Sequence, residues 1–301
     1  MLETNRFSRA ILAGLFSLLV AVSACDKTGQ DTTDAEIQAG RDTADAMSRE
    51  HAGDSISPSE AATTEPSQAV DFETLAYAEV DDELVYGYLA YPSGMTEPLP
   101  AVIMIHEWWG LNDNIRAMAK RLAAESYMVL AVDLYGGETA ANAGAARVKM
   151  LEVVENSELA EENLRQAVEF LKTTGAPAIA SLGWCFGGGW SLNSAMLFPE
   201  ELDATVIYYG QVTNDDEKLR VIDSPLLGFF GGADRGISLD SVNAFKAALQ
   251  RLRIDNEIHI YPDVGHAFAN PSGNNYNREA AEDAWSRTLQ FLARNLPQQS
   301  D

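Results

Sequence analysis

Five short apolar runs without polar alternation govern what this chain can become: Ala101-Val102-Ile103-Met104-Ile105, Met128-Val129-Leu130-Ala131-Val132, Ala178-Ile179-Ala180-Ser181-Leu182, Ala204-Thr205-Val206-Ile207-Tyr208 and Leu226-Leu227-Gly228-Phe229-Phe230. Strands of this kind are covered on both faces, and a sheet covered on both faces is built from strand–helix–strand crossovers. Helical stretches stand between and after them, at roughly 113–126, 143–173, 188–198 and 239–253, with a last one near 278–295. The alternation predicts an α/β fold with a mostly parallel sheet and helices on both faces. Ligands of such sheets bind beyond the carboxyl ends of the strands, so the informative residues are those just after each run. Residues 74–91 read differently, as two extended runs around Asp81-Asp82-Glu83, a hairpin or a pair of edge strands.

Ahead of this domain, assigned to residues 71–301, the composition changes. Residues 26–70 contain no Phe, Trp, Tyr or Cys and hold ten acids against three bases, which predicts a disordered acidic tether. His51 falls in that tether and is set aside from the chemistry. Residues 1–25 carry Arg6 and Arg9 before an apolar stretch from Ala10 to Val22, the layout of a secretory signal. Val22-Ser23-Ala24-Cys25 resembles a bacterial lipobox, so Cys25 is a candidate lipidation site, ordinary signal cleavage being the alternative. Either way the expectation is export to the cell envelope, with membrane contact through a lipid anchor only. The whole chain has a formal charge of −24, which repels polyanions and argues against nucleic acid as a partner. Two cysteines allow no disulfide framework, and no repeated Cys/His spacing suggests a metal site.

The chemistry concentrates at the strand ends. After the third run comes Gly183-Trp184-Cys185-Phe186-Gly187-Gly188-Gly189, a nucleophile elbow with Cys in place of Ser, opening a helix whose dipole favours a thiolate. A thiol nucleophile needs a base and an orienting acid, and both follow in the order nucleophile, acid, base. Asp234 stands in Gly231-Gly232-Ala233-Asp234, and His266 in Gly265-His266-Ala267-Phe268. Asp215, Asp216 and Asp223 are weaker candidates for the acid; His259 reads as a strand residue and Asp263 as a turn residue. After the first run, His106-Glu107-Trp108-Trp109-Gly110-Leu111-Asn112 occupies the loop that supplies the second oxyanion-hole amide in this architecture. Glu107 there either faces the thiol or is merely paired or solvated, and Trp108 and Trp109 are core, pocket wall or substrate platform.

Taken together, the Cys185, Asp234 and His266 segments, Glu107 to Asn112 and Asp133-Leu134-Tyr135 resemble the dienelactone hydrolase family over most of residues 71–301. The resemblance implies an α/β-hydrolase fold and a Cys185–His266–Asp234 triad. Glu107 then contacts the resting thiol, the backbone amides of Phe186 and Trp108 form the oxyanion hole, and no metal or organic cofactor is needed. It implies a hydrolase opening an ester or lactone through an acyl-cysteine intermediate. Members acting on dienelactone bind its carboxylate with two arginines, at positions that here hold Gly137 and Asn270, which points to a broader ester, lactone or thioester substrate. Two further readings are a general carboxylesterase or thioesterase of the envelope, and a ligand-binding lipoprotein that keeps the scaffold without turnover.

Overall fold

In the structure, a computed structural model that describes residues 34–54, 58 and 65–296, the five apolar runs lie side by side at the centre of one sheet. Its strands are β1 (Val70–Val80), β2 (Glu83–Pro92), β3 (Ala101–Ile105), β4 (Met128–Val132), β5 (Ile179–Trp184), β6 (Ala204–Tyr208), β7 (Leu226–Gly231) and β8 (Asn256–Tyr261). They run in the order β1-β2-β4-β3-β5-β6-β7-β8. From β4 onward every pairing is parallel, while β1 and β2 form an antiparallel hairpin that joins β4 at the edge. The hairpin turns on Asp81 and Asp82, both at positive φ, as a two-residue hairpin loop requires. Every residue of β3, β4, β5, β6 and β7 is buried, which is why these strands carry no alternation.

The helices are α1 (Asp34–Glu50), α2 (Asp113–Ala123), α3 (Ala143–Glu155), α4 (Ser157–Thr173), α5 (Phe186–Leu197), α6 (Asp216–Leu219), α7 (Leu239–Leu252) and α8 (Arg278–Asn295). Polar side chains set their starts: Asn112, Asn142, Ser238 and Asn277 each accept an amide hydrogen bond from the first turn of α2, α3, α7 and α8. The stretch 143–173 is two helices, because Asn156 leaves helical geometry at φ −132° and ψ 50°.

The larger correction concerns the expected tether. Helix α1 occupies much of it, packed on α3 with Gly40 against Val154, and its stripe of Gly40, Ala44 and Met47 runs on to bring Met47 to Cys185. A Cβ at Gly40 would stand 2.4 Å from Val154 Cγ1, so the helices meet at a position only glycine allows. Arg41 pairs with Glu155 and Arg147 with Asp45, both at 2.6 Å, across the same contact. An Ala-rich segment with small and apolar residues at spacings of four and three becomes a helix once a partner surface covers that stripe. The signal segment and Cys25 lie outside the described residues. Among the described residues no helix is long and apolar enough to cross a membrane.

Candidate active site

The site forms where β5 hands the chain to α5. Cys185 holds φ 54° and ψ −117°, a conformation that L-residues rarely adopt and that lifts its side chain out of the sheet. Its neighbours are glycine for want of room: a Cβ on Gly183 would meet Gly187 O at 2.1 Å, and one on Gly187 would meet Ile105 O at 2.3 Å. Phe186 is the first residue of α5 and Cys185 makes no side-chain cap, so the Phe186 N–H is one of the amides that helix geometry leaves open.

The loops after β7 and β8 bring the other two residues to the thiol. Asp234 accepts from the Gly236 and Ile237 amides through Oδ1, at 2.7 and 2.8 Å, which aims Oδ2 at His266. His266 Nδ1 lies 2.7 Å from that Oδ2, and Nε2 lies 3.2 Å from Cys185 Sγ. Cys185, His266 and Asp234 form one hydrogen-bonded chain, all of it buried.

Glu107 is buried beside this chain. Its hydrogen bonds come from Asn270 Nδ2 at 2.7 Å and Tyr209 OH at 3.4 Å, while those of the thiol go to His266, His51 and Met47. Asn270, at one of the two positions read as lacking an arginine, is therefore the amide that holds Glu107. At the other position the Gly137 amide donates to Asp133 Oδ2. Trp108 is fully buried and stacks on His51 with ring centroids 4.8 Å apart, so it belongs to the wall of the site. His106 is fully buried; its Nδ1 faces the Glu107 carbonyl and its Nε2 accepts from the Leu134 amide, a structural role. His259 stacks on Phe229 away from the thiol, consistent with its reading as a strand residue.

His51 overturns its exclusion. It ends the α1 segment over the thiol, with Nε2 4.0 Å from Cys185 Sγ and Nδ1 2.7 Å from Asp54 Oδ2. Met47, one turn earlier, puts Sδ 3.6 Å from the same sulfur. Asp54 in turn accepts from the Asn274 amide at 2.8 Å. The residues missed in the sequence were thus Met47, His51 and Asp54, and the signal for them was the four-three-four spacing Gly40, Ala44, Met47, His51. This spacing carries a small or apolar stripe onto a histidine.

Charge in the site is concentrated and opposed. Burial pushes the Cys185 thiol up, but His266 and His51 outweigh it and bring its pKa down to about 6. Burial also pulls down the His51 imidazole, and the Asp54 carboxylate and the thiol outweigh that, raising it to about 9. His266 lies well above its ordinary value for the matching reason: burial lowers it, and Cys185 and Asp234 override burial. Burial, then the neighbouring thiolate, lifts Glu107 to about 7. The three shifts act together, each imidazole favouring the thiolate and the thiolate favouring each imidazolium.

A mostly parallel eight-stranded sheet with a cysteine at the strand–helix elbow, and an aspartate and a histidine on the last two strand-end loops, defines an α/β-hydrolase-fold enzyme. The chain belongs to the dienelactone hydrolase family, whose profile matches residues 85–296, and is a carboxylic ester hydrolase. Relatives named as carboxymethylenebutenolidases include one from Saccharolobus solfataricus, 34% identical over 255 residues that cover 72% of this chain and 97% of that one. Another, from Escherichia coli K12, is 32% identical over 68% of this chain and 80% of its own length. Among solved structures, a dienelactone hydrolase from Klebsiella pneumoniae superposes with a TM-score of 0.68 at 25% identity, covering 75% of this chain and 100% of that one. A dienelactone hydrolase-like promiscuous phosphotriesterase from metagenomic libraries shares the fold, with a TM-score of 0.69 at 21% identity over 75% of this chain and 99% of its own.

Proposed function

We propose that this hydrolase cleaves neutral esters or lactones through a Cys185–His266–Asp234 triad and an acyl-cysteine intermediate. One observation carries the reading: His266 bridges the thiol and the Asp234 carboxylate, at 3.2 and 2.7 Å, in one buried chain. Sγ attacks the carbonyl carbon, and the electron pair of the carbonyl moves onto oxygen. The Phe186 and Trp108 amides meet that charge. Collapse of the tetrahedral species expels the alkoxide, which takes the proton from His266 Nε2; His266 then deprotonates the water that frees the acid from sulfur. Asp234 accepts from His266 Nδ1 and so fixes the tautomer and orientation of the ring. Glu107 supplies a second carboxyl beside the thiol, where its raised pKa lets it exchange a proton near neutral pH.

The preference for neutral substrates follows from Gly137 and Asn270. No cation stands at either position, and the Asn270 amide is engaged by Glu107. The Trp108 Nε1 and Tyr135 OH groups are buried without a hydrogen-bond partner among the described residues, leaving neutral donors for substrate oxygens. The test is intact-mass analysis after incubation with an activated neutral ester and with its carboxylate-bearing counterpart. An acyl adduct is expected on Cys185 with the neutral ester, absent in Cys185→Ser. Turnover of the anionic ester alone would overturn the substrate preference, and turnover without an adduct in any quench would overturn the intermediate. Export with lipidation at Cys25 is proposed on the sequence alone, and retention of Cys25→Ser in the membrane fraction would overturn it.

A further inference from the structure

We propose that Cys185, His51, His266 and Met47 form a binding site for one monovalent copper ion, completed by helix α1 and closed over the nucleophile. This goes beyond ester hydrolysis and does not depend on it.

Two imidazoles turn Nε2 toward one sulfur, at 3.2 Å from His266 and 4.0 Å from His51, and the three ligand atoms lie within 4.8 Å of one another. The Met47 thioether adds a fourth donor, 3.6 Å from Sγ. With metal–sulfur lengths of about 2.3 Å and metal–nitrogen lengths of about 2.0 Å, a tetrahedral ion spaces two nitrogens roughly 3.3 Å apart, nitrogen and sulfur roughly 3.5 Å and two sulfurs roughly 3.8 Å. Sγ already stands near those separations from Met47 Sδ and from His266 Nε2, and His51 must move inward from 4.0 Å to complete the set. Both imidazoles also carry the support that metal-bound histidines have, a carboxylate on the other ring nitrogen: Asp234 on His266 and Asp54 on His51, each at 2.7 Å. A histidine that only filled space under α1 would not need Asp54 behind it, itself fixed by the Asn274 amide.

The donor set selects the ion. Thiolate, thioether and imidazole are soft or intermediate ligands, and the two nearby aspartates are occupied by the imidazoles, so Cu(I) is favoured over hard cations. A thioether adds little to Zn(II), and a single thiolate neutralises a monovalent ion in a buried site. On binding, bonds form from copper to Sγ, Sδ and both Nε2 atoms. The protons on the two Nε2 atoms leave to solvent, and no electron is transferred because copper enters as Cu(I). Bound copper takes the sulfur lone pair that attack on an ester requires, so copper and acylation exclude each other.

The experiment uses the full chain, reduced and anaerobic, titrated with Cu(I) against the chromogenic chelator bicinchoninate, with Zn(II) in a parallel titration. One Cu(I) per chain is expected, with both sulfur and nitrogen scatterers in the copper X-ray absorption spectrum. Cys185→Ser abolishes it, and Asp54→Asn weakens it about tenfold or more through His51. Met47→Leu and His51→Ala also weaken it. Far-UV spectra establish that each variant is folded, and the conservative Asp54→Asn and Met47→Leu carry the test where His51→Ala is not. Wild-type affinity in both conservative variants means that the thiol binds alone, which overturns the four-ligand site. Displacement of Cu(I) by one equivalent of Zn(II), or no binding at one equivalent, overturns it as well.

Discussion

Two histidine–aspartate pairs converge on Cys185 from opposite ends of the chain, and locally they are nearly the same object. Each has an Nδ1–carboxylate distance of 2.7 Å, and each turns Nε2 to the thiol, at 3.2 Å for His266 and 4.0 Å for His51. What differs is the support behind them. Asp234 and His266 sit on loops springing from β7 and β8, inside the parallel sheet, and Asp234 is pinned by two backbone amides. His51 and Asp54 follow one helix, held among other contacts by a narrow stripe facing α3, exposed ion pairs, the Asn274 amide and the stacking of His51 on Trp108. Equal geometry therefore does not mean equal persistence: the first pair is expected to open only with the sheet, the second when α1 lifts. Cys185 is 2% exposed, with His51 and Met47 of the α1 segment among its contacts.

The strongest way to break this comparison is to delete each imidazole in turn. His266→Ala, like Cys185→Ser, is expected to cost at least about a thousandfold in ester turnover, because the groups of the proposed triad would act as a unit. His51→Ala is expected to do the opposite and raise turnover several-fold by clearing the approach to the thiol, an order-of-magnitude expectation for removing a closing contact. Steady-state kinetics on one neutral ester decide the matter. A thousandfold loss in both variants would make the pairs equal partners in catalysis.

A second probe leaves both imidazoles intact and loosens only α1. Ala44 is fully buried between α1 and its neighbours, and Ala44→Asp places a carboxylate there with no partner. Undocking of the helix costs less than burying that charge. The alkylation rate of Cys185 by iodoacetamide is expected to rise about tenfold or more, while the main unfolding transition of the sheet stays where it is. A drop in the main transition with unchanged alkylation would mean that α1 unfolds only with the domain.

The same contrast explains what could be read from the sequence. The sheet was legible because buried parallel strands leave unbroken apolar runs, and Cys185, Asp234 and His266 were legible because an elbow and two strand-end loops leave glycine-rich signatures around them. Glu107 was placed near the thiol, but its partner Asn270 was noticed only as a missing arginine. His51 was discarded for its surroundings: an acidic, Ala-rich segment without aromatics reads as tether when average hydrophobicity is the criterion. The stripe from Gly40 through Ala44 and Met47 is too small to raise that average. It becomes meaningful only opposite Val154, a partner more than a hundred residues away. The single helix expected over 143–173 failed for a local reason, since Asn156 both ends α3 and precedes α4.

Proton linkage sharpens the comparison further. The His51 pKa is raised to about 9 from 6.5 in the docked state, so docking binds that proton more tightly than the free segment does. Its contribution is complete below pH 6.5 and drains away as pH rises through about 9. Cys185 has the opposite sign, with its pKa lowered to about 6, so thiolate is lost as pH falls through that value. The pH profile of Cys185 alkylation is then expected to rise near 6, level off, and rise again by a few-fold near 9 as His51 deprotonates and α1 loosens. In His51→Ala the first midpoint moves upward, because one of the cations lowering the thiol pKa is gone, and the second rise vanishes. A second rise that persists without His51 would assign it to another group.

The smallest expected effects belong to the ion pairs that clamp α1 to α3. Arg41–Glu155 and Arg147–Asp45 are short, at 2.6 Å, but both pairs are open to solvent, where side-chain entropy and screening consume most of the Coulomb attraction. Arg41→Ala or Arg147→Ala is expected to weaken docking by about 1 kcal/mol at most, a change in Cys185 alkylation of up to about fivefold, and less in high salt. The two pairs engage α1 at different residues, Arg41 and Asp45, and share no partner, so the effects of the two substitutions are expected to add. Alkylation of the double variant at low and high ionic strength tests this directly. If the pairs together moved the rate as far as Ala44→Asp does, the helix would be held by its charges rather than by its stripe, and the weakness of the second histidine–aspartate pair would be electrostatic in origin.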